Sequence, residues 1–324
     1  MLADKIQNQK EILDESDYAI PSYITDNLKY PLYDWQRTAL ENFFINEKLR
    51  SKLLKKGEIL SPNHLMFNMA TGSGKTLVMA ALILYYYKQG YRNFIFFVNQ
   101  NAILGKTQAN FIDTKHNKYL FKENIVIDGR RVAFREVDMF SDFCDDVQIK
   151  FTTIQKLHND IYKESENSVL LSDLQKHDVI LFGDEAHHLN ASTTKKKQKT
   201  LSDEVSFIGE LKDSAKEDDI ERSWEHTVCH CILNKDGKNQ NGNKNTLLEF
   251  TATVPNTSEV LQKYEDKIII KFELKDFVEA GCTKHIRLVR SNLALNERIL
   301  QALLLNWYRY RIALKAGIPN FKPS

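Results

Sequence analysis

One segment of the chain determines its fold class: Met69-Ala70-Thr71-Gly72-Ser73-Gly74-Lys75-Thr76. An apolar run precedes it and a longer apolar run follows, which predicts a strand, a tight turn and a helix. Gly72 and Gly74 allow the backbone to turn its N–H groups around an anion without Cβ clashes. Lys75 has the charge and reach to contact the β- and γ-phosphates of a nucleotide, and the hydroxyl of Thr76 is suited to Mg²⁺. The segment therefore predicts a phosphate-binding loop.

The neighbouring sequence supports this prediction. A strand at Leu65–Met69 leads into the loop, and a helix at Lys75–Gln89 directs the positive end of its dipole at the anion. The general Walker A pattern begins with glycine, and this chain has Met69 there, which removes one glycine but leaves the cradle. The alternative is a chance Ser-Gly-Lys-Thr turn, and the flanking strand and helix argue against it.

A second segment carries two adjacent carboxylates at the end of an apolar strand. Val179–Phe182 is apolar, Gly183 interrupts it, and Asp184 and Glu185 follow. Ligands bind at the carboxyl ends of strands in open α/β sheets. Asp184 is suited to holding Mg²⁺, directly or through water, and Glu185 to orienting or deprotonating an attacking water. An isolated Asp-Glu pair is usually a solvated turn, but its position after a phosphate loop favours the functional interpretation. The glycine indicates close packing at residue 183.

Composition excludes several classes of protein. The 324 residues carry 45 Lys plus Arg against 43 Asp plus Glu, so any nucleic-acid surface must be a local patch. Asp4, Lys5 and Lys10 interrupt the region where the apolar part of a signal peptide would lie. The longest apolar run, Leu77–Tyr87, is shorter than the ~20 residues that span a bilayer. These features predict a cytoplasmic protein with no membrane partner.

Cysteine is scarce, which fits reduced thiols in the cytoplasm. Cys229-His230-Cys231, with His226 nearby, resembles half of a zinc site, but no second pair of ligands is present. We predict instead a half-buried helix at about Trp224–Leu233.

Short β-like runs alternate with longer helical runs, which predicts an α/β fold with a mostly parallel sheet flanked by helices. The predicted strands are Leu65–Met69, Asn93–Val98, Ile125–Asp128, Val147–Thr152, Val179–Phe182, Thr246–Phe250 and Lys267–Phe272. The predicted helices are Asp34–Lys55, Lys75–Gln89, Ala102–Phe111, Thr153–Ile161 and Asn296–Ala316. Polar loops are predicted at Asn190–Asp219, which includes the run Lys195–Lys199, and at Asn234–Asn245.

Beyond this pattern, Asp184-Glu185-Ala186-His187 resembles the DEAH box of superfamily 2 helicases, whose domains are RecA-like P-loop NTPases. The other motifs of that superfamily appear in order. Trp35-Gln36 is similar to the Q motif, Phe96-Phe97-Val98-Asn99 to motif Ia, Phe151-Thr152-Thr153-Ile154-Gln155 to motif Ib, and Phe250-Thr251-Ala252-Thr253 to motif III. Five motifs in the right order are far more specific than any one of them.

The resemblance implies roles for these residues. Lys75, Asp184, Glu185 and His187 are the implied catalytic set, with His187 coupling the ATP site to motif III. The implied ATP-binding residues are Gln36, Thr71, Gly72, Ser73, Gly74, Lys75 and Thr76, and the Mg²⁺ ligands are Thr76 and Asp184. Contacts to nucleic acid, or coupling to it, are implied for Asn99, Thr152, Thr153, Thr251 and Thr253.

The sequences of residues 68–76, 151–157 and 184–190 are similar to the corresponding motifs of the Res subunit of type III restriction–modification enzymes. This implies an ATP-dependent DNA translocase partnered by a methyltransferase subunit. Members of that family continue with a second RecA-like domain, which supplies arginine fingers, and with a nuclease domain. We therefore expect a first RecA-like domain over residues 1–285, a linker helix over 286–324, slow ATP turnover and no nuclease activity. A truncated gene product, an expression segment and one piece of a split protein all fit the sequence.

Other functions remain open at this point. A nucleotide-binding module without turnover would share every motif, and a repair or RNA helicase would share most of them, since motifs Ia and Ib contact the sugar–phosphate backbone. A small-molecule kinase gives no role to the Thr-Ala-Thr and Asp-Glu-Ala-His elements. Lys195–Lys199 either contacts DNA phosphates or forms a solvated loop, and the loop is favoured.

Overall fold

A computed structural model describes residues 2–58, 60–99, 101–162, 171–185, 226–234, 244–254, 258–282 and 292–317. The predicted coupling residue His187 and the run Lys195–Lys199 lie outside the described residues. The chain divides into two compact units, Met1–Ala280 and Gly281–Ser324. The domain boundary expected at residue 285 stays a prediction. The first unit ends on a short helix, and Gly281 after it lies in the left-handed region, with φ of +71°.

The first unit is built on a seven-stranded, entirely parallel sheet, as the sequence predicts. Its strands are β1 (Asn63–Met69), β2 (Asn93–Val98), β5 (Phe134–Glu136), β6 (Val147–Thr153), β7 (Val179–Asp184), β8 (Thr246–Thr251) and β9 (Ile268–Phe272). Their order across the sheet is β5-β6-β2-β7-β8-β1-β9. Strand β8 therefore lies between β1, which leads into the phosphate loop, and β7, which carries the acidic pair.

Helices connect the strands. They are α1 (Leu2–Lys10), α2 (Ser22–Thr25), α3 (Asp34–Lys55), α4 (Lys75–Lys88), α5 (Asn101–Ile112), α6 (Ile154–Tyr162), α7 (Leu171–Lys176), α8 (Ser258–Tyr264), α9 (Leu274–Glu279) and, in the second unit, α10 (Leu295–Lys315). All five predicted helices are present. A π-helix at His226–Leu233 overlaps the helix expected around the Cys-His-Cys segment, although Trp224 lies outside the described residues.

Both faces of the sheet are buried, which explains why its strands are apolar almost throughout. Successive side chains point to opposite faces, so Phe94 and Phe96 join one hydrophobic cluster while Ile95 and Phe97 join the other. Helix α4 packs in the first cluster and is buried almost all round, consistent with its uniformly apolar sequence.

The prediction of a main-sheet strand at Ile125–Asp128 is wrong. Only Val126–Ile127 is extended, as β3, and it pairs antiparallel with β4 (Arg130–Arg131) in a separate hairpin outside the main sheet. The turn residues Asp128 and Gly129 both have positive φ, 54° and 74°, which is the backbone of a primed hairpin turn. One edge of the main sheet is formed by β5, a three-residue strand that is too short and too polar to be recognised from sequence.

In the second unit, α10 exposes many apolar side chains, including Trp307 and Leu303. Within the described residues, no helix combines the length and apolar character needed to cross a membrane.

Candidate active site

The phosphate loop connects the carboxyl end of β1 to the first residue of α4. Gly72 and Gly74 have φ of +84° and +83°, a region that residues with a side chain rarely adopt. The backbone N–H of Ser73 donates to the carbonyl of Ala70 at 3.1 Å, which closes the turn. The sequence-predicted glycines therefore lie where the backbone conformation requires them.

Gly74 is also required by close packing. A Cβ atom at residue 74 would lie 2.2 Å from Nε2 of Gln36, far inside van der Waals contact. The Gln36 amide donates to the carbonyls of Ser73 at 2.9 Å and Gly74 at 3.3 Å, while its Oε1 accepts the backbone N–H of Tyr33 at 2.9 Å. Gln36 is 1% exposed. In this structure its amide therefore supports the phosphate loop, and its contact with an adenine edge stays a prediction.

Lys75 lies at the centre of the site. This lysine is buried at the start of α4. Its Nζ lies 3.4 Å from the carbonyl of Met69 and 3.8 Å from Oε1 of Glu185. The ammonium group thus lies between the end of β1 and the acidic pair of β7. Two motifs far apart in sequence converge on one charged contact.

The acidic pair comes directly after the buried part of β7. Asp184 is the last residue of that strand, and its side-chain Oδ1 accepts the backbone N–H of Glu185 at 3.1 Å. Glu185 has φ of +56° in the left-handed region, which is unusual for a residue with a side chain. Such strained conformations concentrate at functional sites. At this turn the Glu185 carboxylate lies 3.8 Å from the Lys75 ammonium, while the Asp184 carboxylate accepts a backbone N–H.

Gly183 leaves room for the ring of Phe97, its register partner on the adjacent strand β2. A Cβ atom at residue 183 would lie 2.8 Å from Cζ and 3.0 Å from Cε2 of Phe97. The close packing expected from the interruption of the apolar run is therefore present, and the neighbour is an aromatic ring on the adjacent strand.

The Thr-Ala-Thr segment ends β8, the strand between β1 and β7. Thr251 is buried, and its hydroxyl donates to the carbonyl of Thr253 at 2.9 Å and accepts the Thr253 N–H at 3.3 Å. Thr253 is exposed. In register, Thr251 pairs with Asn68 of β1, one residue before the loop's Met69. The segment is thus adjacent to the nucleotide motifs, while a coupling role remains a prediction.

Residues of this site fit a nucleotide phosphate and its Mg²⁺. The hydroxyl Oγ of Ser73 is buried and has no hydrogen-bond partner in the described part of the chain. Buried polar atoms are normally paired, so an unpaired hydroxyl within a turn of positive-φ glycines has hydrogen-bonding capacity left for a further polar group. Thr76, half-buried in the first turn of α4, and Asp184 supply the hard oxygen donors that Mg²⁺ prefers.

Three of the residues with a predicted nucleic-acid contact, Asn99, Thr152 and Thr153, lie at the carboxyl ends of β2 and β6, on the other half of the same sheet edge. The Nε2 group of Gln155 donates to Oδ1 of Asn99 at 3.0 Å, which joins motifs Ia and Ib directly. The hydroxyl of Thr153 accepts the backbone N–H of Lys156 at 3.2 Å, and Thr152 is buried. The Thr153 hydroxyl thereby caps the N-terminal turn of α6, and a helix N-terminus favours an anion.

A buried ion pair joins the motif Ib strand, β6, to the helix that follows it. Lys150 of β6 is 3% exposed, its Nζ lies 3.7 Å from Oδ2 of Asp160 on α6, and it donates to the carbonyl of Asp138 at 3.0 Å. Burial lowers the pKa of Lys150, and the charge of Asp160 opposes that shift. The pair ties β6 to α6 on either side of Thr152 and Thr153.

Three contacts at the site were not predicted from the sequence. Trp35 donates its indole N–H to the carbonyl of Ser73, Phe277 lies against Gly72, and Gln155 donates to Asn99. The first two involve the backbone of a loop distant in sequence, and contacts to backbone leave no signature in residue spacing. Trp35 and Gln155 belong to the quoted Q-motif and motif Ib segments, so the sequence marked these two residues but not their partners.

The parallel sheet and the phosphate loop with its acidic pair define a RecA-like, helicase-type α/β domain. Comparison with known families makes this specific. Residues 29–256, more than half of the chain, match the ResIII family, described as type III restriction enzyme, res subunit. The chain belongs to this family.

A relative from Haemophilus influenzae, named "Probable type III restriction-modification enzyme HindVIP Res subunit", is 51% identical over 328 residues. The alignment covers 99% of this chain and 62% of the relative, so the chain spans less than two thirds of that protein's length. The resemblance drawn from the motifs is thereby confirmed at the level of the family.

Proposed function

We propose that this chain binds and hydrolyses ATP and forms the first motor domain of a DNA-dependent translocase. The observation that carries the proposal is the approach of Lys75 to Glu185, with 3.8 Å between Nζ and Oε1. The phosphate loop and the acidic pair belong to strands β1 and β7, which are separated by β8. A charged contact between them supports a single site in which a bound phosphate and an attacking water would be neighbours.

The division of roles follows from the side chains. Lys75 and the N–H groups of the loop bind the phosphates of the substrate, and the Ser73 hydroxyl has unused hydrogen-bonding capacity beside them. Thr76 and Asp184 would hold Mg²⁺, which when bound neutralises charge on the phosphate oxygens. Glu185 is the candidate that orients and deprotonates water, because its Oε1 lies 3.8 Å from the Nζ of Lys75 in the phosphate loop.

Helicase-type hydrolysis is coupled to movement on nucleic acid. The proposed coupling path uses Thr251 and Thr253, with His187 as a further member, and the DNA backbone contacts use Asn99, Thr152 and Thr153. The 3.0 Å bond between Gln155 and Asn99 supports treating the two contact motifs as one surface. Contacts of this kind fix position on the backbone and carry little sequence information.

The larger assembly is also a proposal. The relative's name refers to a Res subunit of a restriction–modification enzyme. By analogy, we infer that the protein acts on DNA in the cytoplasm together with a methyltransferase subunit that supplies sequence specificity. The chain corresponds to 62% of that relative, so DNA cleavage is not proposed for these 324 residues.

ATP hydrolysis by the purified chain tests the proposal. Release of phosphate from Mg-ATP is measured with and without duplex DNA for the parent and for Glu185→Gln, with Glu123→Gln as a control at an exposed residue. We expect slow hydrolysis by the parent and the control, and loss of hydrolysis in Glu185→Gln with ATP binding retained. Equal rates for Glu185→Gln and the parent would refute the role of Glu185. Binding without turnover under all conditions would support a nucleotide-binding module instead.

A further inference from the structure

An aromatic stack borders the phosphate loop. The ring of Trp35 is stacked on Tyr33 with 4.6 Å between centroids and on Phe272 with 4.9 Å, both at 11° between planes. Phe277 approaches Trp35 edge-on at 5.8 Å. Enclosed on three sides, the indole has little freedom to rotate. It is therefore held in one orientation at the first turn of α3.

The fixed indole makes one polar contact, and that contact is with the loop. Nε1 of Trp35 donates to the carbonyl of Ser73 at 2.8 Å, beside the 2.9 Å bond that Gln36 makes to the same oxygen. A peptide unit is planar and trans, so its C=O and N–H groups point in opposite directions. Drawing the Ser73 carbonyl toward Trp35 therefore turns the N–H of Gly74 to the opposite side.

We propose that Trp35 is a positioning residue for the phosphate loop, which aims the Gly74 N–H at the bound phosphate. The proposal rests on the proposed ATP binding and gives a role to Trp35, the member of the Q-motif pair for which the resemblance implies none. Gly74 has no side chain and a φ of +83°, so its peptide orientation needs an external restraint. The Trp35 and Gln36 donors supply that restraint from outside the loop. Trp35 acts through Gly74 and is not assigned a contact with the substrate.

Replacing Trp35 with Phe separates the hydrogen bond from the stack. The Trp35→Phe variant keeps an aromatic ring against Tyr33 and Phe272 and removes only the N–H donor. Trp307→Phe, in the second unit, is the same chemical change at an exposed position and serves as the control. Dissociation constants are measured by calorimetry for Mg-ATP and for Mg-tripolyphosphate, which has the phosphates without the base. Urea unfolding of the same samples detects any loss of fold.

We expect Trp35→Phe to weaken ATP and tripolyphosphate by the same factor, about threefold to tenfold, the range that one hydrogen bond supplies. The control should match the parent for both ligands. If Trp35→Phe and the parent bind both ligands with equal affinity, this inference is wrong and the proposed function is unaffected. So would weaker binding of ATP with unchanged tripolyphosphate, since Trp35 would then act through the base. A parent chain that binds neither ligand would overturn the proposed function and this inference with it.

Discussion

The contact between Gly183 and Phe97 gives a prediction whose size follows from the structure. In Gly183→Ala, the new methyl group would lie 2.8 and 3.0 Å from two ring atoms of Phe97, where ~3.5–4.0 Å is comfortable. Phe97 is 2% exposed, so its ring cannot swing into solvent. Overpacking of this kind costs about 1–3 kcal/mol. Alanine also lowers the conformational entropy of the unfolded chain relative to glycine, which offsets about 0.4–1 kcal/mol of this cost.

We therefore expect Gly183→Ala to lower the free energy of unfolding by about 1–2 kcal/mol, a loss that a domain stable by about 5–15 kcal/mol survives. The carboxylates of Asp184 and Glu185 follow immediately, so their displacement should also reduce ATP hydrolysis. Equilibrium unfolding in urea, followed by circular dichroism, measures the stability change.

Gly105→Ala is the matched control. Residue 105 lies exposed in α5 with nothing within 4 Å of a new Cβ, so the same substitution should stabilise the protein by about 0.5–1 kcal/mol. A double variant with Phe97→Leu should be more stable than the sum of the two single changes predicts, because the smaller side chain relieves the clash. Gly183→Ala as stable as the parent, or additive with Phe97→Leu, would refute the packing argument.

Three further predictions concern the rest of the chain. Lys150→Met should destabilise the protein by about 3–5 kcal/mol because it leaves Asp160 buried without its counter-charge, and Asp160→Asn in that background should restore part of the loss; urea unfolding without any such recovery would contradict it. The purified 324 residues should not cut plasmid DNA with ATP and Mg²⁺, and reproducible double-strand breaks would disprove this. ATP turnover should rise by orders of magnitude when a second RecA-like domain is supplied in trans, because an arginine finger contributes about 10³–10⁵ to turnover in related NTPases; fast, DNA-stimulated turnover by the chain alone would contradict this.

Much of the fold was predictable because strong local signals agree with the tertiary structure. The helix expected at Asp34–Lys55 has those bounds, and the strand expected at Asn93–Val98 does too. Apolar periodicity and turn residues suffice when an element is long and buried. The phosphate loop was predictable for a different reason: its glycines, lysine and threonine are selected by local backbone geometry and charge.

Short elements and long-range contacts were not predictable. The sequence pattern predicts Ile125–Asp128 as a strand of the main sheet, and this is wrong because a two-residue strand in a separate hairpin has no period to measure. The edge strand β5 is three residues long, and its position depends on pairing with β6. Trp35 is adjacent to a predicted site residue, yet its partner is a backbone carbonyl on a distant loop. Pairing of this kind is decided by packing, for which one sequence gives no spacing rule.

The central claim is that ATP binds at the loop whose cation is Lys75. Calorimetric titration with Mg-ATP tests it, using the parent, Lys75→Ala, and Lys88→Ala as a control at the exposed end of the same helix α4. We expect one ATP per chain for the parent and for Lys88→Ala, and no detectable binding for Lys75→Ala, because the cation facing the β- and γ-phosphates is gone. Lys75→Ala binding ATP as tightly as the parent would contradict the account.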